Sequence, residues 1–281
     1  EPEQIPFTCY TGLAPDGAEE IENLCFIVTA RVAVEHTPGV ATVSEETAPG
    51  RHLERMETPW GTLTREREAE PGYGSSYTTQ HWISQPEDYA VLEQMIRNSE
   101  IRLMPEAYEA ARAQWGARGV VIVWSPRTPL QRLWIEYTGI ERLSYDLADC
   151  PEAVEGVMDA MLEQSRQLAR ANAESEAEVV WLPDNITGEI AGPGMFDRYL
   201  HDYYREMCDI LLPAGKIVVC HMDGFLAQIK DAIGETPLPV IEAFTPPPDG
   251  NLSVADAFEA WPDKGLSLNF PSSVHLSEPE E

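Results

Sequence analysis

The stretch VVWLPDNITGEIAGPGMFDRYLHDYYREMCDILLPAGKIVVCHMDG, residues 179–224, decides the fold. Two short apolar runs, Val179–Leu182 and Ile217–Cys220, flank a segment with helical spacing at Met195–Leu212. Strands that are continuously apolar are typical of a parallel sheet buried on both faces, with helices as the crossovers. The stretch therefore predicts one strand–helix–strand unit of an α/β fold.

The same alternation continues on both sides of this unit. Upstream, a strand at Val120–Trp124 precedes a long helix at Pro151–Ala173, whose apolar residues recur every three or four positions. Downstream, strands at Val240–Phe244 and Leu266–Phe270 are separated by a short helix. A closed eight-stranded (β/α)8 barrel would need residues beyond Glu281, so we expect a barrel that is truncated at its ends.

The N-terminal quarter has a different, β-rich character. Ile5–Tyr10 is a short apolar run that predicts a first strand, and residues 26–68 carry repeated turn signals. Within them, Thr58–Thr64 has the pattern of a hairpin end. We interpret residues 26–68 as a β-hairpin excursion on a single domain that covers residues 1–281.

Composition excludes several classes of function. The chain has 281 residues, of which 43% are hydrophobic, so it can bury a sizeable core. It carries 48 acidic and 19 basic residues, and this net charge of −29 repels phosphate backbones and anionic lipid. We therefore expect no nucleic-acid partner and no membrane partner. The charge itself has two open explanations, a solvated or salt-adapted acidic surface and a cationic partner.

The five cysteines have no pairing pattern and predict reduced thiols in a cytoplasmic enzyme. No apolar run is long enough for a membrane-spanning helix, and no signal peptide is visible at the N-terminus. Motifs for nucleotide binding, for α/β-hydrolase catalysis and for zinc proteases are also absent from the sequence.

Polar residues at the predicted strand ends are the candidate functional residues. In parallel α/β folds, ligands bind beyond the carboxyl ends of the strands. Four strands end in, or carry, polar residues that a core would not accommodate. These residues are Asp184 and Asn185, His221 and Asp223, Glu242, and Asn269.

His221, Asp223 and Glu242 form the most specific of these groups. His221 and Asp223 are two residues apart on an extended segment, so their side chains share one face. Glu242 lies on the following strand. An imidazole with two carboxylates is a competent zinc site, but the same pattern also fits a hydrogen-bonded pair that orients a loop, or metal-free acid–base chemistry.

The other candidates have equally open interpretations. Asp184 and Asn185 fit a general base and a substrate-orienting amide, or alternatively a cap for the following helix. Tyr10 and Trp124 are candidates for an aromatic wall at the site, as are Tyr203 and Tyr204, although ordinary packing is the preferred interpretation for those two.

Several segments, taken together and in order, resemble the uroporphyrinogen decarboxylase-like superfamily, and within it the corrinoid-linked methyltransferases. The similarity spans nearly the whole chain, although each motif alone is weak. The segments are EPEQIPF (1–7), METPWGTLTRE (56–66), HWISQPEDYAVLEQMI (81–96), LPDNITGEIAGPGMFDRYLHDYYREMCDIL (182–211) and KIVVCHMDG (216–224).

This resemblance implies a TIM barrel and the transfer of a methyl group to or from a cobamide. It also implies a catalytic zinc, with His221 as the matching first ligand. From the residues themselves we expect Glu242 as a second ligand and Asp223 as a third ligand or an orienting group. Thiol-activating members have cysteine where this chain has Asp223, which favours a demethylase acting on a donor such as an aromatic methyl ether.

The expected site residues follow from this interpretation. The expected catalytic residues are His221, Glu242 and Asp184. The expected substrate-binding residues are Asn185, Tyr10, Trp124 and Asn269.

No Asp-x-His-x-x-Gly corrinoid-binding motif is present, so the cobamide should be carried by a partner corrinoid protein. Two alternatives stay open. One is a uroporphyrinogen decarboxylase-like lyase, although the first arginine is Arg31 and the N-terminal arginines that hold that polyanionic substrate are missing. The other is a non-catalytic barrel that binds a small molecule or a corrinoid protein. Homodimerisation is also left open.

Overall fold

The structure is a computed structural model that describes residues 7–14, 17–21, 24–70 and 75–273. Its strands are β1 (Phe7–Tyr10), β2 (Leu24–Ala30), β3 (Ala33–His36), β4 (Ala41–Ala48), β5 (Arg51–Thr58), β6 (Gly61–Ala69), β7 (Ser76–Gln80), β8 (Glu100–Leu103), β9 (Gly119–Trp124), β10 (Val179–Leu182), β11 (Ile217–His221), β12 (Val240–Phe244) and β13 (Gly265–Leu268). Its α-helices are α1 (Asp88–Arg97), α2 (Pro105–Trp115), α3 (Pro129–Arg132), α4 (Ile140–Asp149), α5 (Pro151–Glu174), α6 (Pro193–Tyr199), α7 (His201–Leu211), α8 (Lys230–Gly234) and α9 (Val254–Ala260). None of the helices within these described ranges has the length and apolar composition needed to cross a membrane.

The elements predicted from periodicity are largely confirmed. Strands β10 and β12 have the predicted bounds, and α5 ends one residue after the predicted Pro151–Ala173. The predicted helix Met195–Leu212 is divided at Leu200 into α6 and α7, and the predicted strand Leu266–Phe270 ends earlier, at Leu268. For the first strand, Phe7–Tyr10 is confirmed, and residues 5 and 6 lie outside the described residues.

The described residues form two compact units. The first draws on Glu1–Val34, Arg102–Pro126 and Arg166–Glu281, and the second on Glu35–Ile101 and Arg127–Ser165. The first unit contains the central sheet, and the second contains a smaller antiparallel sheet. The single domain over residues 1–281 stays a prediction.

The central sheet of the first unit is parallel throughout, which confirms the α/β prediction. Its seven strands have the order β1-β2-β9-β10-β11-β12-β13. On the central strands β10 and β11 the side chains of Val180, Leu182, Val218 and Cys220 have no exposed surface. These four residues share one face of the sheet, which is fully covered, whereas on the other face Val179, Trp181 and Val219 are half-buried and Ile217 is exposed.

The sheet is strongly curled but is not a closed eight-stranded barrel within the described residues. Tyr10 on β1 donates a hydrogen bond to Glu242 on β12 at 2.9 Å. In a flat sheet these strands, five spacings apart, would lie about 24 Å from each other. No pairing of β1 with β13 closes the sheet in the described part of the chain, whereas a barrel requires the first and last strands to pair.

The β-rich excursion is also present, with different bounds from the predicted 26–68. Residues 26–30 belong to β2 and hence to the central sheet, whereas the antiparallel sheet β4-β5-β6-β7 runs from Ala41 to Gln80. The predicted hairpin end is confirmed, because β5 stops at Thr58 and β6 starts at Gly61. The alternation of apolar and polar residues in the sequence does not distinguish β2 from the strands of the antiparallel sheet.

Cross-strand ion pairs fit the register of this antiparallel sheet. Glu54 on β5 lies directly opposite Arg65 on β6, and their side chains approach to 2.6 Å while mostly buried. Arg51 and Glu68 are also opposite each other at 3.1 Å, but they are more exposed. Opposite charges placed directly across a strand pair stabilise the register.

We expect a measurable coupling energy between Glu54 and Arg65. A double-mutant cycle with Glu54→Gln and Arg65→Gln, followed by urea unfolding, should give about 0.5–1 kcal/mol. The matched cycle on the exposed Arg51–Glu68 pair should give a smaller value, because water screens it more. No coupling between Glu54 and Arg65 would contradict the register of β5 and β6, whereas equal coupling in both cycles would contradict the difference in burial between the two pairs.

Candidate functional site

The predicted histidine and glutamate meet at the carboxyl end of the central sheet. His221 is the last residue of β11, Glu242 lies on β12, and the two are partners in the parallel register. Paired residues in a sheet project their side chains from the same face. The Nδ1 atom of His221 lies 2.8 Å from Oε2 of Glu242. The two residues therefore form a hydrogen-bonded pair across neighbouring strands.

Glu242 is a buried carboxylate that interacts with three donor groups. Its side chain is only 8% exposed. The Tyr10 hydroxyl donates to Oε1 at 2.9 Å, and the indole Nε1 of Trp181 donates to Oε2 at 2.9 Å, beside His221. Burial and the charge of Glu242 raise the pKa of Tyr10, so the phenol stays protonated and acts as a donor. Because a buried carboxylate needs such partners, the donors fix Glu242 in one orientation.

The imidazole of His221 lies between two carboxylates. Its Nδ1 faces Glu242, and its Nε2 is 3.5 Å from Oδ2 of the more exposed Asp223. Burial lowers the pKa of His221, but hydrogen bonds to Asp223 and Glu242 outweigh it and raise the pKa to about 9. In return, the His221 hydrogen bond lowers the pKa of Asp223, and a hydrogen bond from Asn185 contributes to this shift. The Nε2 side is the less enclosed side of the ring, because Asp223 is 39% exposed.

Two tryptophans, which we call the tryptophan wall, line this face of the sheet. Trp124 on β9 and Trp181 on β10 are register partners, and their rings meet edge to face at 4.9 Å. Trp181 also meets the ring of His221 at 5.8 Å and that of Tyr10 at 6.0 Å. The predicted aromatic residues Tyr10 and Trp124 therefore belong to one contiguous surface with His221.

A backbone irregularity follows Glu242 directly. The pairing of β12 with β13 shifts between Ile241 and Phe244, and Ala243 has a φ of 58°. This left-handed conformation is costly for a residue with a Cβ atom. Bulges of this kind re-aim neighbouring side chains. Here the irregularity lies next to Glu242, which is turned towards His221, while Phe244 packs against Trp261.

The three candidate metal ligands are neighbours, but their contacts do not fit the expected zinc site. Both ring nitrogens of His221 face carboxylates, and Glu242 already accepts its three hydrogen bonds. Within residues 7–273 as described, no group of three or more His, Cys, Asp or Glu side chains is arranged to hold a metal ion. Zinc ligands must direct free lone pairs at one point. The contacts instead favour the hydrogen-bonded imidazole, and the predicted zinc stays a prediction.

Asp184 and Asn185, adjacent in sequence, are placed differently. The Asp184 carboxylate is fully buried and accepts a hydrogen bond from the Tyr204 hydroxyl of α7 at 2.7 Å. Because side chains alternate along an extended segment, Asp184 projects away from the face of Trp181, whereas Asn185 reaches Asp223. The structure thus brings Asn185 to His221's neighbourhood, and it places the predicted catalytic Asp184 against a helix instead.

Asn269 and Tyr203 contact residues other than His221 and Glu242. Asn269 is exposed beyond the end of β13, and its amide approaches the Thr245 hydroxyl at 3.4 Å. Tyr203 is buried and donates a hydrogen bond to the backbone oxygen of Pro126. The contacts of Tyr203 and Tyr204 are therefore of the kind expected for packing residues.

Sequence reasoning missed Trp181 and Arg31. Trp181 is an aromatic residue in an otherwise aliphatic strand, and it projects from the same face of the sheet as Trp124. An aromatic residue at this position of the strand is the sequence signal that could have identified it. Arg31 directly follows β2, and its guanidinium lies 5.0 Å from the ring centroid of Trp124. Because the predicted excursion includes β2, the residues at the carboxyl end of that strand are not among the candidates from the sequence.

The loops that carry Asn185 and Asp223 are tied together. The amide of Gly188 donates to the backbone oxygen of Phe225 at 2.7 Å, and the amide of Phe225 approaches the Thr187 hydroxyl at 3.3 Å. Gly224 is in such close contact that a Cβ atom there would lie 2.3 Å from the backbone oxygen of Ile186. The glycine after Asp223 is therefore required by the approach of the two loops.

A curled parallel sheet with helical crossovers, open within the described residues, and a polar cluster at its carboxyl edge define a mixed α/β protein. The uroporphyrinogen decarboxylase (URO-D) family profile matches residues 67–253, more than half of the chain, and the chain therefore belongs to this family. Among solved structures, a methyltransferase from Methanosarcina mazei is similar at 13% identity and a TM-score of 0.48. That similarity covers 71% of this chain and 58% of the methyltransferase, less than two thirds of its length. No curated protein matches the sequence.

We expect Gly224→Ala to lower stability by about 1–3 kcal/mol, because its methyl group collides with backbone and forces the two loops apart. Urea unfolding measures this change. Gly194→Ala in α6 is the matched control, since nothing lies within 4 Å of a Cβ there. A Gly224→Ala protein as stable as the Gly194→Ala protein would show that the loops are not in the described contact.

Proposed function

We propose that this chain is a methyltransferase that moves a methyl group between a small methyl donor, with an aromatic methyl ether as the favoured example, and a corrinoid protein. The observation that carries the proposal is the His221 imidazole fixed between Glu242 and Asp223 beside the tryptophan wall. Membership of the URO-D family supports it. So does the resemblance of KIVVCHMDG, residues 216–224, to the strand of that superfamily that carries His-x-Cys or His-x-Asp.

The residues of the site suit the cleavage of an ether. Breaking the carbon–oxygen bond leaves negative charge on the departing oxygen, and a proton donor stabilises that charge. The Nε2 side of His221 is the less enclosed side of the ring, so this atom is the one we assign to the departing oxygen. Glu242 hydrogen-bonds Nδ1, which fixes the ring orientation, and Tyr10 and Trp181 fix Glu242 in turn.

The tryptophan wall supplies the binding surface in this proposal. Trp124 and Trp181, whose rings are nearly perpendicular, offer apolar aromatic contact area next to His221. Asp223 and Asn185 lie at the more open side of the imidazole, where they can orient a polar group of the donor. The cobamide, carried by a separate protein, would supply the nucleophile that takes up the methyl group.

Removal of His221 should lower methyl transfer far more than removal of another histidine. We expect His221→Ala to reduce the rate of phenol formation from a methoxybenzene by about 10²–10⁴-fold, the usual contribution of a positioned acid or base. The assay supplies a reduced corrinoid protein and follows the phenol by chromatography. His52→Ala, in the antiparallel sheet, is the control and should keep full activity. Full activity after His221→Ala would refute the proposed role.

The zinc content of the protein can be measured separately from its activity. Because Glu242 is fully engaged and both nitrogens of His221 face carboxylates, we expect well under one zinc per chain in protein purified without chelators. Inductively coupled plasma mass spectrometry of the wild type and of His221→Ala should give the same low zinc content. About one zinc per chain, lost on the His221→Ala substitution, would instead support the ligand set implied by the family resemblance.

A lyase activity like that of uroporphyrinogen decarboxylase is the second candidate, because the matching family carries that name. Its substrate bears many carboxylates, which a chain of net charge −29 would repel without a cluster of arginines. At the site, Arg31 is the arginine in contact with the tryptophan wall. Release of carbon dioxide from a porphyrinogen by the purified chain would favour this candidate over methyl transfer.

A further inference from the structure

Arg31 occupies a position that the proposed reaction does not use. It directly follows β2, whose last residue, Ala30, pairs with Val123 just before Trp124. The Arg31 side chain is exposed, and its guanidinium carbon lies 5.0 Å from the centroid of the Trp124 ring. A guanidinium over an indole face is held by the cation–π interaction, and its flat shape extends the aromatic surface.

The charge of Arg31 is not neutralised by a neighbouring side chain. Among the described residues, no carboxylate forms an ion pair or a hydrogen bond with Arg31, although the chain has 48 acidic residues. Other arginines of the first unit differ: Arg166, for example, lies 2.7 Å from Glu206. The donors of Arg31 are therefore free to bind a group that is not part of the described chain.

The tryptophan wall connects Arg31 to the reacting end of the site. Arg31 lies over Trp124, Trp124 meets Trp181 at 4.9 Å, and Trp181 meets His221 at 5.8 Å. An aromatic molecule bound against this wall would have one end towards the imidazole and the other towards the guanidinium. Guanidinium groups match carboxylates in shape, because two parallel N–H groups can bind both oxygens.

We infer that Arg31 is a specificity-determining residue that binds the carboxylate of a planar, singly charged substrate lying along the tryptophan wall. The inference rests on the proposed function in placing the reacting end of the substrate at His221. A single guanidinium suits one negative charge, and the acidic surroundings disfavour a substrate that carries several. Arg31 thus selects substrates at the end of the wall away from the imidazole.

The test compares two probes of the same shape that differ in charge. Binding of 4-methoxybenzoate and of 4-methoxybenzamide to the full chain is measured by isothermal titration calorimetry, without any corrinoid. We expect wild-type protein to bind the benzoate more tightly. Arg31→Gln should weaken benzoate binding by about 10- to 100-fold, as expected for a charge-assisted hydrogen-bonded pair, and should leave amide binding within about threefold.

Two further variants separate charge and shape from folding. Arg31→Lys keeps the charge but loses the flat guanidinium, so it should bind the benzoate with intermediate affinity. Arg170→Gln removes an exposed arginine from α5 and should leave both affinities unchanged. Circular dichroism and the melting temperature confirm that each variant is folded.

The inference is overturned if Arg31→Gln weakens both probes equally or neither. It is also overturned if wild-type protein binds the benzoate no more tightly than the amide, including the case in which neither binds. Because no methyl transfer is involved, this result is independent of the reaction. A chain that binds the benzoate through Arg31 but transfers no methyl group would refute the proposed function alone.

Discussion

The hydrogen bonds around the buried Glu242 carboxylate are the interaction on which the site depends. Tyr10, Trp181 and His221 come from β1, β10 and β11, and all three contact a carboxylate on β12. A buried carboxylate without such partners would be strongly destabilising. The curl of the sheet brings these donors to the carboxylate, and their contacts fix the orientation of the imidazole. The same contacts occupy the oxygens of Glu242, and through them the carboxylate orients His221.

The sequence predicted the framework of this site well, because its signals are local. Continuous apolar runs located β10, β11 and β12, and the position of polar residues at their ends located His221, Asp223 and Glu242. Alternation along a strand then gives the face on which each side chain lies. The same rule, applied to the segment after β10, would have placed Asp184 and Asn185 on opposite faces, and only Asn185 reaches Asp223.

The rest of the site depends on contacts between residues distant in sequence. Tyr10 and Glu242 are 232 positions apart, and nothing in either strand alone indicates their hydrogen bond. Likewise, residue types and spacing do not distinguish three ligands that converge on a metal from an imidazole held between two carboxylates. The two arrangements differ only in the positions of the side-chain atoms, on the scale of ångströms. The contact between Arg31 and Trp124 exists because β2 pairs with β9. The β-rich pattern of the N-terminal region does not indicate this pairing.

The most direct measurement of the central arrangement is the proton magnetic resonance spectrum of the His221 ring, in protein labelled with ¹⁵N-histidine. A ring Nδ1–H donated to a buried carboxylate resonates far downfield and exchanges slowly with water. We expect such a signal in the wild type, its loss in Glu242→Gln and His221→Ala, and its retention in Asp223→Asn. Absence of the signal in folded wild-type protein, or its persistence in Glu242→Gln, would contradict the claim that Glu242 holds the imidazole in place.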